Sequence, residues 1–396
     1  METKLYLQLS AVMFLEYAIW GAWMPVLAAR LLGPLKMSGK QTGWIYATLP
    51  LACIIAPLIA GYLADKYWNA EWILAIAHLI GAVLIFYAAR ITKFKTLFIV
   101  MLLYSVFFAG TLPLVNSFMF YHLGKVFSDE AKVDAASAKI FIWAPVAWAL
   151  IGYFLTGWRW KFKSGEQGRD CLYLAAFLSL VMGVSCLFMP STPPSKLGNP
   201  IFEAMKMLGE SNFLIFIILS MVVAGLMQFY FLGTAQFMQD LGIPNKNVPA
   251  SMAIAQACQA LATLFALGLF VDKFGYKWTL VIGAACWMVL YFVYIIKEPR
   301  WLVITSQSLH GLAYVFFIIV GQIYVKSVAS KEILSSMQAI IFAVTTGIGL
   351  FLGTQFAGIV MDYFRKEEKF QWRSVFLVPC GIMAACVIAF MLFFKG

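Results

Sequence analysis

The chain has 396 residues, of which 63% are hydrophobic, 16% aromatic and only 12% charged, with a formal net charge of +11. Soluble proteins average roughly 25% charged residues, and a water-soluble chain this apolar could not cover its own surface. The balance excludes a soluble globular protein, and the basic excess, spread over short segments between apolar runs, reads as topogenic and headgroup-contacting charge, not as a nucleic-acid surface.

Twelve apolar runs are long enough to be read as membrane spans. In chain order they cover 5–29, 41–64, 71–90, 95–121, 139–158 and 171–189, then 212–238, 246–270, 276–295, 299–325, 333–361 and 372–394. Lipid offers backbone groups no partners, so each run is expected as a helix. The expected class is an all-α integral membrane protein with twelve transmembrane helices. The first run carries Glu16 and lacks a small-residue cleavage site, so it reads as a span and not as a cleaved signal.

One stretch breaks the series. MPSTPPSKLGNP, 189–200, is too rich in proline, serine and glycine to continue a helix. Six spans precede it and six follow, a layout typical of carriers built from two pseudo-symmetric halves. This divides the chain into a first six-helix bundle (1–189), a linker (190–211) and a second six-helix bundle (212–396). The halves repeat a detail. GYLADKYW (61–68) follows span 2 and GLFVDKFGYKW (268–278) follows span 8, placing Asp65-Lys66 and Asp272-Lys273 in corresponding short loops.

Ionisable residues inside the spans are few: Glu16, His78 and His310, with Lys139 at a boundary. A charge at membrane depth costs about 2.5–3.5 kcal/mol or more, so such groups face a cavity or a partner. Glu16 is followed by Trp20 and Trp23 at i+4 and i+7. That stripe either lines a polar cavity or turns its carboxyl to a neighbouring helix. His310 has Tyr314 and Phe317 at the same spacings and carries the same two readings. His78, among small residues, reads as a helix–helix hydrogen bond. Gln228, Gln256, Gln259 and Asn116 are amides among apolar and aromatic residues, suited to a neutral, planar, hydroxylated ligand. The seven cysteines form no CxxC or Cys/His cluster, so no metal site is expected. Nucleophile, phosphate-loop and zinc-hydrolase motifs are absent from the sequence, so no enzyme activity and no cofactor are expected.

FLEYAIWGAW (14–23), IYATLPLACIIAPLIAGYLADKYWNAEWILAIAHLIGA (45–82), LPLVNSFMFYHL (112–123), HGLAYVFF (310–317) and QWRSVFLVPCG (371–381) together resemble the nucleoside:proton symporter family of the major facilitator superfamily. The likeness runs over nearly the whole chain. It implies a major facilitator fold in the cytoplasmic membrane, with both termini and the central linker cytoplasmic. It also implies nucleoside and proton as substrates, contact with membrane lipid, and a monomer. The Asp65-Lys66 and Asp272-Lys273 loops would then form gating motifs.

The resemblance implies a substrate site made by Gln228, Phe231, Gln256, Gln259, His310, Tyr314, Phe141 and Trp20. It also marks departures. Phe141 stands where the family has an arginine, Phe231 an asparagine, Gln259 a glutamate, His310 a tyrosine and Val315 a proton-coupling aspartate. Glu16 stands where a glutamine is common. Glu16 and His310, as a coupled pair facing the cavity, are therefore the expected proton carriers. A uniporter, or a porter for another small polar solute such as a sugar or a modified nucleoside, stays open. Counting Lys and Arg puts 12 on the side of the termini and 17 on the other, against the positive-inside expectation for cytoplasmic termini.

Overall fold

The computed structural model describes residues 3–194, 205–329, 337 and 340–395, without the side chains of Tyr62, Asp65, Lys66, Glu130, Ala131, Asp134, Ala135, Ala138 and Lys326. Part of the expected central linker, residues 195–204, therefore lies outside the described residues, as do the side chains of the Asp65-Lys66 pair.

Eleven helices among the described residues are long and apolar enough to cross a membrane. A twelfth apolar helix, of 17 residues, joins them. In chain order they are α1 Thr3–Leu32, α2 Gly39–Lys66, α3 Ala70–Ala88, α4 Phe94–Val126, α5 Trp143–Phe162 and α6 Asp170–Cys186. After the linker come α7 Ser211–Asp240, α8 Val248–Phe265, α9 over 276–296, α10 Arg300–Val325, α11 Ile340–Tyr363 and α12 Trp372–Phe393. An amphipathic helix, Glu130–Phe141, precedes α5.

Local chemistry sets several boundaries. Ser38 and Gln41 close a reciprocal capping box, so α2 begins at Gly39, two residues before the apolar run. Gly275 takes φ 69° and ψ 178° inside Leu267–Ile296. A glycine tolerates that backbone, and the turn divides an extension of α8 from α9. Helix α1 is interrupted at 24–26 and α7 at Met227. Helices α10 and α11 each hold a π-helical segment, Tyr314–Ile319 and Ala343–Gly349. Such segments are rare and cluster at functional sites.

In the first half α2 packs on α4, α3 on α4 and α6, and α1 on α5 and α6. In the second half α9 packs on α12, α8 on α10, and α7 on α11. Small residues permit the closest approaches. Gly349 and Gly353 of α11, a GxxxG pair, press on the backbone of α7 at Met221 and Gly225, and Gly311 of α10 presses on Ala255 of α8. Apolar lipid gives helices no hydrophobic drive to associate, so this van der Waals contact stabilises the bundle.

Successive spans reverse direction, so both termini share one face and the loops 33–38, 163–169, 241–247 and 364–371 share the opposite, far face. The halves are stitched together at the far face. Asp362 of α11 accepts from the amides of Gly39 and Lys40, at 2.5 and 2.8 Å, and so caps α2 across the boundary. Arg159 of α5 is held by Asp170 through two bonds of 2.7 and 2.8 Å, and its Nη1 donates to Asn245 Oδ1 at 2.9 Å. Asn245 returns a bond to the Gly165 carbonyl, and Trp160 Nε1 donates to Asn247 Oδ1 at 2.8 Å. Under these clasps, Gly39 and Gly43 lie on Gly358 and Thr354, and Gly152 lies on Ala253. The molecule is closed at the far face.

Two of the seventeen cations counted on that side are structural. Arg159 sits in its ion pair, and buried Arg30 donates to the carbonyls of Gln167, Ala89 and Ile91. Neither is a free loop charge.

Candidate functional site

Between the halves, just beneath the clasped face, lies a pocket of about 20 Å³, room for one water. Trp148 and Gly152 of α5, Ala22 of α1, Tyr230 and Phe231 of α7, and Gln256 of α8 are in its wall. Ligand pockets run from about 300 Å³ upward, so this one must widen to take a small molecule.

Aromatic rings cross the boundary here. Phe108 of α4 meets Trp20 of α1 edge-on at 6.3 Å, Trp20 meets Trp148 at 5.7 Å, and Trp148 meets Phe231 at 6.3 Å. The indole Nε1 of Trp20 is buried with no hydrogen-bond partner among the described residues. Gln228 stands in the same condition at both amide atoms and is fully buried, one residue past the interruption of α7. Leaving a buried polar group unpaired costs about 1–3 kcal/mol.

Of the expected substrate residues, Phe231 and Gln256 line the pocket and Trp20 flanks it. Gln259, one turn beyond Gln256, is nearly buried and lies outside the pocket wall. Phe141 does not reach it. Its half-buried ring packs on Phe120 of α4 at 6.0 Å. Tyr314 is half-buried at the start of the π segment of α10. Asp272 and Lys273 are exposed beside the Gly275 turn.

The structure does not bring Glu16 and His310 together. His310 sits behind the pocket wall. Tyr230 stacks on its ring at 3.8 Å, Phe231 meets it edge-on at 5.6 Å, and Trp287 Nε1 of α9 donates to its Nδ1 at 3.0 Å. Glu16 turns into the first half. Its Oε2 lies 2.8 Å from His78 Nε2 of α3, and its Oε1 lies 2.7 Å from Thr111 Oγ1 of α4. The His78 reading as a helix–helix bond is what is seen.

The reason lies in helix geometry. At 3.6 residues per turn, i+4 is rotated by about +40° and i+7 by about −20° from the first residue. Glu16 and Trp23 thus share the inner direction, Trp23 packing on Tyr46 and Tyr104, while Trp20 swings toward α5. His310 and Phe317 likewise both face Trp287.

Two other placements matter. Val315 is fully buried in a small cluster with Ala262 and Phe316, against Phe270 and Ile282, and not at the pocket. Trp287, Tyr291 and Tyr294 form a buried ladder on α9 whose polar atoms reach His310, the Leu226 carbonyl and Gln307. The ladder's i, i+4, i+7 spacing in WMVLYFVY was available as a signal, and Tyr230 had one in its place next to Phe231.

Comparison with known proteins agrees along the full length. The family described as nucleoside H+ symporter matches residues 1–396. The nucleoside permease NupG of Escherichia coli is 28% identical, covering 99% of this chain and 96% of that protein. The xanthosine permease of the same organism is 25% identical, covering 98% and 96%. A crystal structure of the nucleoside transporter NupG superposes with a TM-score of 0.85 at 27% identity, covering 99% of both chains.

Proposed function

Because this chain belongs to the nucleoside H+ symporter family, it is a secondary transporter that moves nucleosides across the cytoplasmic membrane by alternating access, and we propose that the nucleoside is held between the two halves at the pocket beneath the far-face clasps. The observation that carries this placement is the pocket wall itself. Trp148, Phe231 and Gln256 come from both halves and supply ring faces and an amide at one point. A base stacks on aromatic faces, and amides read its polar edge and the ribose hydroxyls. Gln228 and the Trp20 indole, both unpartnered among the described residues, supply further bonds once the pocket widens.

The two six-helix bundles rock about this site. The far-face clasps of Asp362 and Asn245 must open in each cycle, and Asp65-Lys66 and Asp272-Lys273, which lie at helix ends and not in the loops expected from sequence, form the opposite gate. Both termini lie on the cytoplasmic side, and the exposed apolar belt meets lipid. One chain supplies both sides of the pocket, which supports action as a monomer.

The test is equilibrium binding of labelled uridine and adenosine to the purified full chain, against xylose and maltose. Nucleoside binding that weakens about tenfold in Gln256→Ala, the loss expected for one ligand hydrogen bond, supports the reading. Preference for a sugar overturns the substrate class, and full nucleoside affinity in both Gln256→Ala and Trp148→Ala overturns the site.

A further inference from the structure

Among the described residues, Glu16 is unlike the other acids. It lies in the middle of a membrane helix, fully buried, whereas Glu71, Asp170, Asp240 and Asp362 sit at or near helix ends. The position where the family resemblance implies a proton-coupling aspartate is Val315, packed in an apolar cluster. Phe141 and Gln259 cannot ionise.

His310 is excluded by its own hydrogen bond. An imidazolium donates from both nitrogens. With Trp287 Nε1–H aimed at Nδ1, a second proton would set donor against donor. The bond fixes His310 as the neutral ring with its hydrogen on Nε2.

The surroundings of Glu16 are of the opposite kind. His78 and Thr111 both accommodate a change of protonation. With Glu16 ionised, Thr111 donates to Oε1. With Glu16 protonated at Oε1, that O–H donates to Thr111 Oγ1, and the threonine hydrogen turns to the Phe108 carbonyl at 2.6 Å. The Glu16 carboxyl and the Thr111 hydroxyl keep partners in both states. The other titratable groups that sense Glu16 are Tyr17 of its own helix, Tyr104 of α4 and Cys186 of α6.

We propose that the buried Glu16–His78 pair, with Thr111 as its hydrogen-bond switch, is the site that carries the coupled proton. The inference rests on the reading of this chain as a proton-coupled nucleoside transporter. One proton from water on the open side enters the site when Glu16 is a carboxylate and His78 is neutral, and turns a buried net charge of −1 into zero. The neutral site tolerates the closed, dry intermediate, where a lone buried charge is costly. The same proton leaves to water on the other side. The ring path links this site to the substrate. His78 meets Phe108 at 6.1 Å, and Phe108 leads through Trp20 and Trp148 to Phe231 in the pocket wall.

The experiment is uridine uptake by the full chain in proteoliposomes, with and without an inward proton gradient of about one pH unit, which permits about tenfold accumulation at one proton per nucleoside. Uridine binding is measured beside it on the same preparations. Wild type is expected to accumulate uridine under the gradient. Glu16→Gln and His78→Gln are each expected to bind uridine and to lose the gradient stimulation, and retained binding shows that the variants are folded. Full gradient-driven accumulation in both variants overturns the proton site. Gradient-indifferent uptake by wild type overturns it as well, while leaving nucleoside transport standing. Failure of wild type to bind any nucleoside overturns the underlying reading instead.

Discussion

His78 and His310 are the same side chain in two membrane helices, each almost fully buried, yet their partners give them opposite chemistry. His78 faces a carboxylate at 2.8 Å, an arrangement that can hold a proton on either partner. His310 faces an indole N–H, which only a neutral ring can accept. One histidine is built to exchange a proton. The other is built to stay fixed and to brace Tyr230 and Phe231 at the pocket. A buried histidine in a transporter is therefore not by itself a proton carrier, since the atom opposite its ring nitrogen decides.

The contrast can be broken most severely at the carboxylate. Glu16→Gln keeps shape and removes the proton, so gradient-driven accumulation should collapse by about tenfold under a gradient of about one pH unit. Next comes the far-face clasp, whose opening the same cycle requires. Hydrogen bonds to a charged group contribute about 1.5–3 kcal/mol, so Asp362→Ala should shift the closed-to-open population ratio by at least about tenfold. Distances between spin labels at positions 36 and 369 would report it. His310→Ala removes the brace and not the proton. The apparent KM for uridine should rise by up to about tenfold, while the ratio of uptake with and without the gradient holds. The smallest effect is expected from Trp287→Phe, which deletes one buried hydrogen bond. It should cost about 1 kcal/mol of unfolding free energy, read by denaturation.

Much of this architecture is legible in sequence because lipid imposes it. The twelve runs stand out by length, and the Asp-Lys turn before α9 is marked by Gly275. Partners are not legible in the same way. Glu16, Trp20 and Trp23 share one stripe by counting, but about 60° separates Trp20 from Trp23, enough to send them to different helices. The pairing of Glu16 with His78 joins residues 62 apart in the chain, and nothing in either local stretch encodes the other. Asp362 reads as one acid in a polar loop, and only the meeting of α2 and α11 makes it a cap for Gly39. The position of Val315 depends on the π segment of α10, which spacing alone does not announce.

The most direct measurement is the proton movement itself. Uridine added to weakly buffered proteoliposomes holding the wild-type chain should make the outer medium more alkaline as nucleoside and proton enter together, and Glu16→Gln, at matched uridine binding, should give no such signal. Equal alkalinisation by wild type and Glu16→Gln would contradict the assignment of the proton to the Glu16–His78 pair.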